Sequence, residues 1–309
     1  MPQPGYAMQV ELSSQPEIWS TVLERDALRA GLPRDGERVA VIGCGTSWFI
    51  AKAYASMRES LGRGETDAFT ASEAPLQRTY DRIVAITRSG TTSEVLTALA
   101  QVPQSVPTVA VIADPHTPIV DLVNEAIVLD FADEQSVVQT RFATAALMLL
   151  RSTLQPRAVL DTAVAQAADV LSGFDFDGDR VQESMVDPSL LAAEQISFIG
   201  TGWAWNVAEE AALKLRESAQ AWTEAYSSME YRHGPIAIAA PGRATWQFGP
   251  APDGLAEDVE NTGARFEFVD RDPLAELVRV HAFALLRSRH AGLDADHPRS
   301  LTRSVVLTD

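Results

Sequence analysis

Twice in this chain of 309 residues an apolar run breaks at Gly-x-Gly and a helical pattern begins. The first instance is Val39-Ala40-Val41-Ile42-Gly43-Cys44-Gly45, and the second is Ile196-Ser197-Phe198-Ile199-Gly200-Thr201-Gly202. A short run that stays apolar instead of alternating belongs to a strand buried on both faces, the usual state of a parallel sheet covered by helices. The sequence around each run repeats the theme. In the first half, strand-like Arg38–Gly43, Arg82–Ile86, Thr108–Ile112 and Ala126–Leu129 alternate with helical patterns over Trp48–Leu61, Thr92–Gln101 and Thr140–Leu154. In the second half, strands near Thr245–Phe248 and Arg265–Val269 precede a helix over Pro273–Arg289. The expected fold class is therefore α/β, with two tandem halves that each hold a parallel sheet between helix layers. The expected boundaries are a helical opening segment over 1–32, with one amphipathic helix from Met8 to Ala30, a first half over 33–165 and a second over 185–309. A polar connection between the halves includes the turn Phe174–Gly178.

The formal net charge of -17 sets the terms for any ligand. A surface that acidic repels nucleic acid and anionic lipid, so neither is expected as a partner. It repels phosphate at long range too, so a phosphate would have to be gripped locally by aimed N–H groups, hydroxyls and an occasional arginine. The single cysteine, Cys44, leaves no internal disulfide and no Cys-rich metal site. His116, His281, His290 and His297 show no metal-ligand spacing, and no metal is expected. No apolar run approaches the roughly 20 residues that span a bilayer. Met1–Gly5 lacks the basic-then-apolar order of a secretory signal, and the expected location is cytoplasmic.

In open parallel sheets ligands bind beyond the carboxyl ends of the strands. Two loops of the first half fall there: Gly43-Cys44-Gly45-Thr46-Ser47 and Thr87-Arg88-Ser89-Gly90-Thr91-Thr92. Thr46, Ser47, Thr87, Ser89, Thr91 and Thr92 all carry hydroxyls, and each loop opens a helix whose amino terminus favours an anion. The same residues would serve equally as helix caps. The counterparts in the second half are poorer, because Gly200-Thr201-Gly202 has one hydroxyl and Gly249–Gly254 has none. Neither loop completes a dinucleotide fingerprint or a Walker motif, so nucleotide binding and a cofactor are not expected. Cys44, at the end of a buried strand, reads as a small apolar filler and not a nucleophile.

A second informative stretch runs from Glu209 to Gly234. Glu210, Lys214 and Glu217 share one helix face, where a lysine beside Glu217 would keep that carboxylate ionised and able to accept a proton. The turn Glu230-Tyr231-Arg232-His233-Gly234-Pro235 carries His233, of the residue type most used for acid–base work. Alone, the first reads equally as an exposed salt-bridged face and the second as an ordinary surface histidine.

These motifs, with Glu224-Ala225-Tyr226-Ser227-Ser228-Met229 and the closing Asp296-His297-Pro298-Arg299-Ser300-Leu301-Thr302-Arg303-Ser304-Val305, resemble the sugar isomerase (SIS) family. The resemblance is to the double-SIS branch that holds the isomerase half of glutamine–fructose-6-phosphate aminotransferase and the stand-alone glucosamine-6-phosphate deaminases and fructosamine-6-phosphate deglycases. It covers nearly the whole chain and implies two tandem flavodoxin-like subdomains in a homodimer. It further implies phosphate binding at Ser47, Thr87, Arg88, Ser89 and Thr92, alongside Cys44, Gly45 and Thr46, and proton transfer by Glu217 supported by Lys214. His233 would reach in from the neighbouring subunit to help open the sugar ring. Three departures stand out. Arg303 replaces a lysine, and it cannot form a Schiff base but can bind an oxygen. Arg88 replaces a frequent glutamine, which would add a charge-assisted phosphate contact. Val137-Val138-Gln139-Thr140-Arg141 replaces a Ser-Thr-Lys stretch that lines the family's pocket, leaving Gln139 as the lining residue here. With no glutaminase segment and Pro2 after Met1, glutamine-dependent amide transfer is not expected. The implied activity is conversion of glucosamine 6-phosphate to fructose 6-phosphate and ammonia. The alternatives are a deglycase acting on fructosamine 6-phosphates and a non-catalytic sugar-phosphate sensor.

Overall fold

The computed structural model describes residues 3 to 307. The chain opens with two helices, α1 (Tyr6–Ser13) and α2 (Gln15–Glu24), where the sequence predicts one helix from Met8 to Ala30. Pro16 explains the break, because it lacks an N–H and is tolerated only in the first turn of a new helix. Five strands follow, β1 (Val39–Gly43), β2 (Thr66–Thr70), β3 (Arg82–Ile86), β4 (Thr108–Ile112) and β5 (Glu125–Val128), with α3 (Thr46–Ser60) after β1 and α4 (Ser93–Ala100) after β3. They form one wholly parallel sheet in the order β2-β1-β3-β4-β5. Helices α5 (Arg141–Arg151) and α6 (Arg157–Ser172) come next, and a two-stranded antiparallel ribbon joins β6 (Phe174–Asp175) to β7 (Arg180–Val181).

The second sheet is built by β8 (Gln195–Gly200), α7 (Trp203–Ala219), β9 (Trp222–Ser227), α8 (Ser228–Tyr231), β10 (Arg243–Phe248), α9 (Leu255–Glu260), β11 (Arg265–Phe268) and α10 (Pro273–His290). Its order is β11-β10-β8-β9, again all parallel. Counted from its own first strand this is the first sheet's order without the fifth strand, so the duplication legible in the Gly-x-Gly loops extends to topology.

The chain divides into two compact units. The first comprises Glu17–Glu134, Arg141–Leu160 and the residues from Thr302 onward; the second comprises the residues up to Pro16, Gln135–Thr140 and Asp161–Leu301. The division is not a pair of consecutive blocks. In particular, α1 packs against α10 of the second unit, and residues 302–307 belong to the first. Each unit has its own core. In the first, Ile42, Ile83, Ala85 and Ile112 meet Val95 and Leu99 of α4, while α3 packs on the other side against β1 and α5. In the second, Ile199, Tyr231, Leu255 and Val259 cluster together, while α7 packs against α10. Besides the short ribbon β6–β7, two strands of the parallel sheets are absent from the sequence reading: β2 and β9 are sheet edges with mostly half-exposed residues, so they lack the apolar run that marks a central strand. Among the described residues no helix is long and apolar enough to cross a membrane.

Candidate functional site

In the first sheet the strand order reverses between β1 and β3, and such a switch point opens a crevice at the carboxyl ends of the two strands. Both hydroxyl-bearing loops emerge there, one after β1 and one after β3. Gly45 has φ 53° and ψ -125°, a conformation closed to residues with a Cβ, and it turns the chain sharply into α3. Thr46, Ser47 and Thr87 are buried. Cys44 is half-buried against the core, and burial pushes its thiol pKa up, which suits a filler and not a nucleophile.

The hydroxyls of the second loop converge. Ser89 Oγ and Thr91 Oγ1 donate to Ser304 Oγ at 3.1 and 3.0 Å, and Thr92 Oγ1 lies 3.4 Å from the same atom. Three hydroxyls gathered about one point suit a phosphate oxygen, and a serine hydroxyl from the terminal segment fills that point. This segment is strapped across the start of α4: Ser93 N–H donates to the Val305 carbonyl at 3.2 Å and Leu307 N–H donates to Ser93 Oγ at 2.9 Å.

Arg88 does not point its charge into this cluster. Its side chain is 1% exposed, Nη1 lies 3.9 Å from the buried Glu134 carboxylate, and Nη2 donates to the Arg303 carbonyl at 3.2 Å. Glu134 also accepts from the N–H groups of Arg141 and Phe142 at the start of α5. The charge is thus answered internally, and the guanidinium binds the strap. Arg303 is similarly committed. It donates to both Asp133 carboxylate oxygens at 2.6 and 2.8 Å and to the Glu134 carbonyl. Asp133, Glu134 and Ser304 were not singled out by the sequence, since no periodicity or spacing ties them to the loop.

In the second unit the switch point lies between β8 and β10, and Gly202 (φ 61°, ψ -134°) repeats the turn of Gly45. The crevice is filled differently. Thr201 Oγ1 donates to the Pro250 carbonyl at 3.0 Å, and Gln247 Nε2 donates to the carbonyls of Phe248, Gly249 and Pro250. The loop's only hydroxyl and its neighbouring carbonyls are spent on one another.

What the second unit offers instead is on α7. Lys214 is fully buried, its Nζ 2.5 Å from Glu217 Oε2 and 3.4 Å from Glu210 Oε1. Glu210 is buried, whereas the Glu217 side chain keeps 19% exposure. One ammonium between two carboxylates leaves a net negative charge, and the carboxylate that reaches solvent is Glu217. It opens onto a cleft of about 400 Å³ lined by Leu213, Arg216, Gln220, Arg299 and Leu301. His233 is exposed, and its ring makes no hydrogen bond among the described residues, though its N–H donates to the Glu230 carbonyl at 2.9 Å. Gln139 belongs to the second unit, with Oε1 buried and accepting no hydrogen bond. A further cavity of about 360 Å³ beside α4, lined in part by Ser72, Gln77, Glu94 and Gln101, is not where the loop hydroxyls converge. Among the described residues no group of three or more His, Cys, Asp or Glu is placed to hold a metal ion.

No family model matches the chain. Curated proteins do. The chain is 26% identical to a glutamine–fructose-6-phosphate aminotransferase [isomerizing] of Gloeobacter violaceus, over 96% of this chain and 58% of that protein. It is 27% identical to the one from Nostoc, over 91% of this chain and 53% of that protein. It thus spans little more than half the length of these relatives. Among solved structures it is similar to glucosamine-6-phosphate deaminase from Thermotoga maritima, with TM-score 0.80 and 22% identity over 97% of this chain and all of that one. The C-terminal domain of glucosamine-fructose-6-phosphate aminotransferase from Francisella tularensis gives TM-score 0.76 and 18% identity, covering 94% and 98%. Tagatose-6-phosphate ketose/aldose isomerase from Escherichia coli also gives 0.76, at 16% identity, covering 97% and 100%.

Proposed function

We propose, from the premise that this chain is a double-SIS protein related to the isomerase half of glutamine–fructose-6-phosphate aminotransferase, that it is an amino-sugar-phosphate deaminase/isomerase. The substrate class is a phosphorylated amino sugar, and the reaction converts glucosamine 6-phosphate and water to fructose 6-phosphate and ammonia. The observation that carries this reading is the pairing of Glu217 with the fully buried Lys214 on the wall of an open cleft. That arrangement fixes an accessible carboxylate in place beside a buried ammonium, a position from which it can accept a proton as a general base.

Glu217 takes the proton from C2 of the open-chain aldehyde and returns it to C1. The product is the C2 imine, which water hydrolyses. Ser47, Thr87, Ser89 and Thr92, with Thr46 and the Cys44–Gly45 turn, hold the phosphate at the switch point of the first sheet. His233, exposed and uncommitted, assists ring opening in the site of a second copy of the chain, which makes the active form a homodimer. Arg303 shares its charge with Asp133, so its effect on the open-chain oxygen is smaller than that of a free cation. No cofactor takes part. The test is ammonia release from glucosamine 6-phosphate by the wild-type protein and by Glu217→Gln. Release by the first and not the second is the expected result, and equal rates would remove Glu217 from the chemistry.

A further inference from the structure

Beside the hydroxyl-rich loop of the first unit lies a cavity that the sugar chemistry leaves unused. It holds about 360 Å³, within the range of small-molecule sites, and its walls all belong to that one unit. Pro75, Leu76, Ala98 and Leu307 give it an apolar lining. Glu94, in the first turn of α4, is the one charged side chain among the described residues that line it. In a chain of net charge -17, no lysine, arginine or histidine on the wall answers that carboxylate. Its Oε2 is buried and accepts no hydrogen bond among the described residues, an unfavourable state that a ligand bringing a donor relieves. Gln77 commits its Nε2 to the Gln101 carbonyl at 3.4 Å, which leaves the amide oxygen as a second acceptor. An unanswered carboxylate, an open amide oxygen and an apolar lining together select a small molecule with an ammonium group and an apolar body.

The terminal segment joins this cavity to the loop. Leu307, on the cavity wall, donates its N–H to Ser93 Oγ at 2.9 Å, and the Ser93 N–H donates to the Val305 carbonyl at 3.2 Å. On the other side of Val305, Ser304 Oγ occupies the point on which Ser89, Thr91 and Thr92 converge. A phosphate oxygen at that point and a docked Ser304 exclude one another.

We propose that the cavity is an effector site for a small apolar ammonium compound, which binds the docked form of the strap and so opposes phosphate binding. The opposition rests on the reading of the loop as the phosphate holder, whereas the ammonium site rests on Glu94 and the cavity alone. A ligand shifts an equilibrium only by its differential affinity for the two states, and Leu307 supplies that difference, because it walls the cavity only while the strap is docked. Linkage makes the effect reciprocal: phosphate weakens the amine by the same factor by which the amine weakens phosphate.

The test is calorimetric titration of the full chain with tryptamine and phenethylamine, each beside its alcohol, tryptophol and phenethyl alcohol, which keep the apolar body and lack the ammonium. At least one amine is expected to bind about tenfold or more tightly than its alcohol, the scale of one charge-assisted hydrogen bond. Glu94→Gln is expected to bring the two to within about threefold of each other. Thr97→Phe, which sets a ring over the cavity from an exposed position on α4, is expected to abolish amine binding while inorganic phosphate binds as before, the control for folding. Saturating amine is expected to raise the dissociation constant of inorganic phosphate about fivefold or more, and Ser304→Gly to cut that effect to less than about twofold. No binding by either amine, equal binding of amines and alcohols, or amine binding that survives both Glu94→Gln and Thr97→Phe would overturn the site. Amine binding that leaves phosphate affinity unchanged would overturn the effector role. Amine binding in a wild-type protein that takes up no phosphate would overturn the phosphate reading, and the opposition with it, while leaving the ammonium site standing.

Discussion

The two Gly-x-Gly turns have nearly the same backbone and opposite surroundings. Gly45 and Gly202 share φ and ψ to within about ten degrees, each following a buried strand and opening a long helix at a switch point. Around the first, Ser89, Thr91 and Thr92 aim their hydroxyls at one point. Around the second, Thr201 and Gln247 tie the loop to itself, and the chemically equipped residues lie along α7 instead. A duplicated fold therefore supplies two equivalent crevices, and the side chains decide which one gathers hydroxyls at a single point and which one ties its loop to itself. The loop hydroxyls are proposed to hold the phosphate and Glu217 to move the proton.

Variants that act on one function and spare the other sharpen the contrast. The largest expected effect is Glu217→Gln, a fall in kcat of about 100- to 10,000-fold, the usual contribution of a general base, with little change in the affinity for fructose 6-phosphate. Steady-state kinetics together with calorimetric titration would separate the two. The double variant Ser89→Ala/Thr92→Val is expected to do the reverse. Each lost hydrogen bond to a charged phosphate is worth about 1.5 kcal/mol or more, so KM is expected to rise about 100-fold while kcat changes little. Failure of the KM and kcat effects to separate would collapse the distinction between the loop hydroxyls and Glu217.

Arg88→Gln tests a subtler point. Because the guanidinium is buried against Glu134 and donates to the Arg303 carbonyl, its removal is expected to change the affinity for inorganic phosphate by less than about threefold. It should nonetheless loosen the strap, read as faster amide exchange in the peptide containing Leu307. A tenfold loss of phosphate affinity without that change would return Arg88 to the phosphate.

The smallest expected effect is a pH dependence peculiar to the second unit. His281 is wholly buried, its Nδ1 is 3.4 Å from Gln15 Nε2, and burial, with the Lys214 ammonium adding to it, holds its pKa well below the ordinary 6.5. The folded protein keeps the ring neutral where an unfolded chain would protonate it, so stability is full above about pH 6.5 and declines as the pH falls below that value. Thermal unfolding from pH 7 to pH 5 is expected to show a falling Tm, with a shallower slope in His281→Gln.

Much of this was legible in the sequence because the central strands are continuous apolar runs and the loops that follow them carry their glycines and hydroxyls locally. Glu210, Lys214 and Glu217 could be read together because helix periodicity alone places them on one face. The edge strands β2 and β9 could not, since half-exposed edges have no such signature. Nor could the true surroundings of Arg88 and Arg303. Whether an arginine beside a hydroxyl-rich loop faces the ligand or a buried Glu134 depends on contacts more than forty residues apart in the chain, which spacing does not encode. The cavity beside α4, with Glu94 on its wall, is similarly a property of the folded unit, not of any motif.

Of the two equivalent crevices, only the first is proposed as a phosphate site. Calorimetric titration of fructose 6-phosphate into the wild-type protein, Ser89→Ala/Thr92→Val and Thr201→Val tests it most directly. The dissociation constant is expected to rise about 100-fold in the first variant and less than about twofold in the second, whose hydroxyl is spent on the Pro250 carbonyl. A comparable loss in Thr201→Val, or none in the double variant, would contradict it.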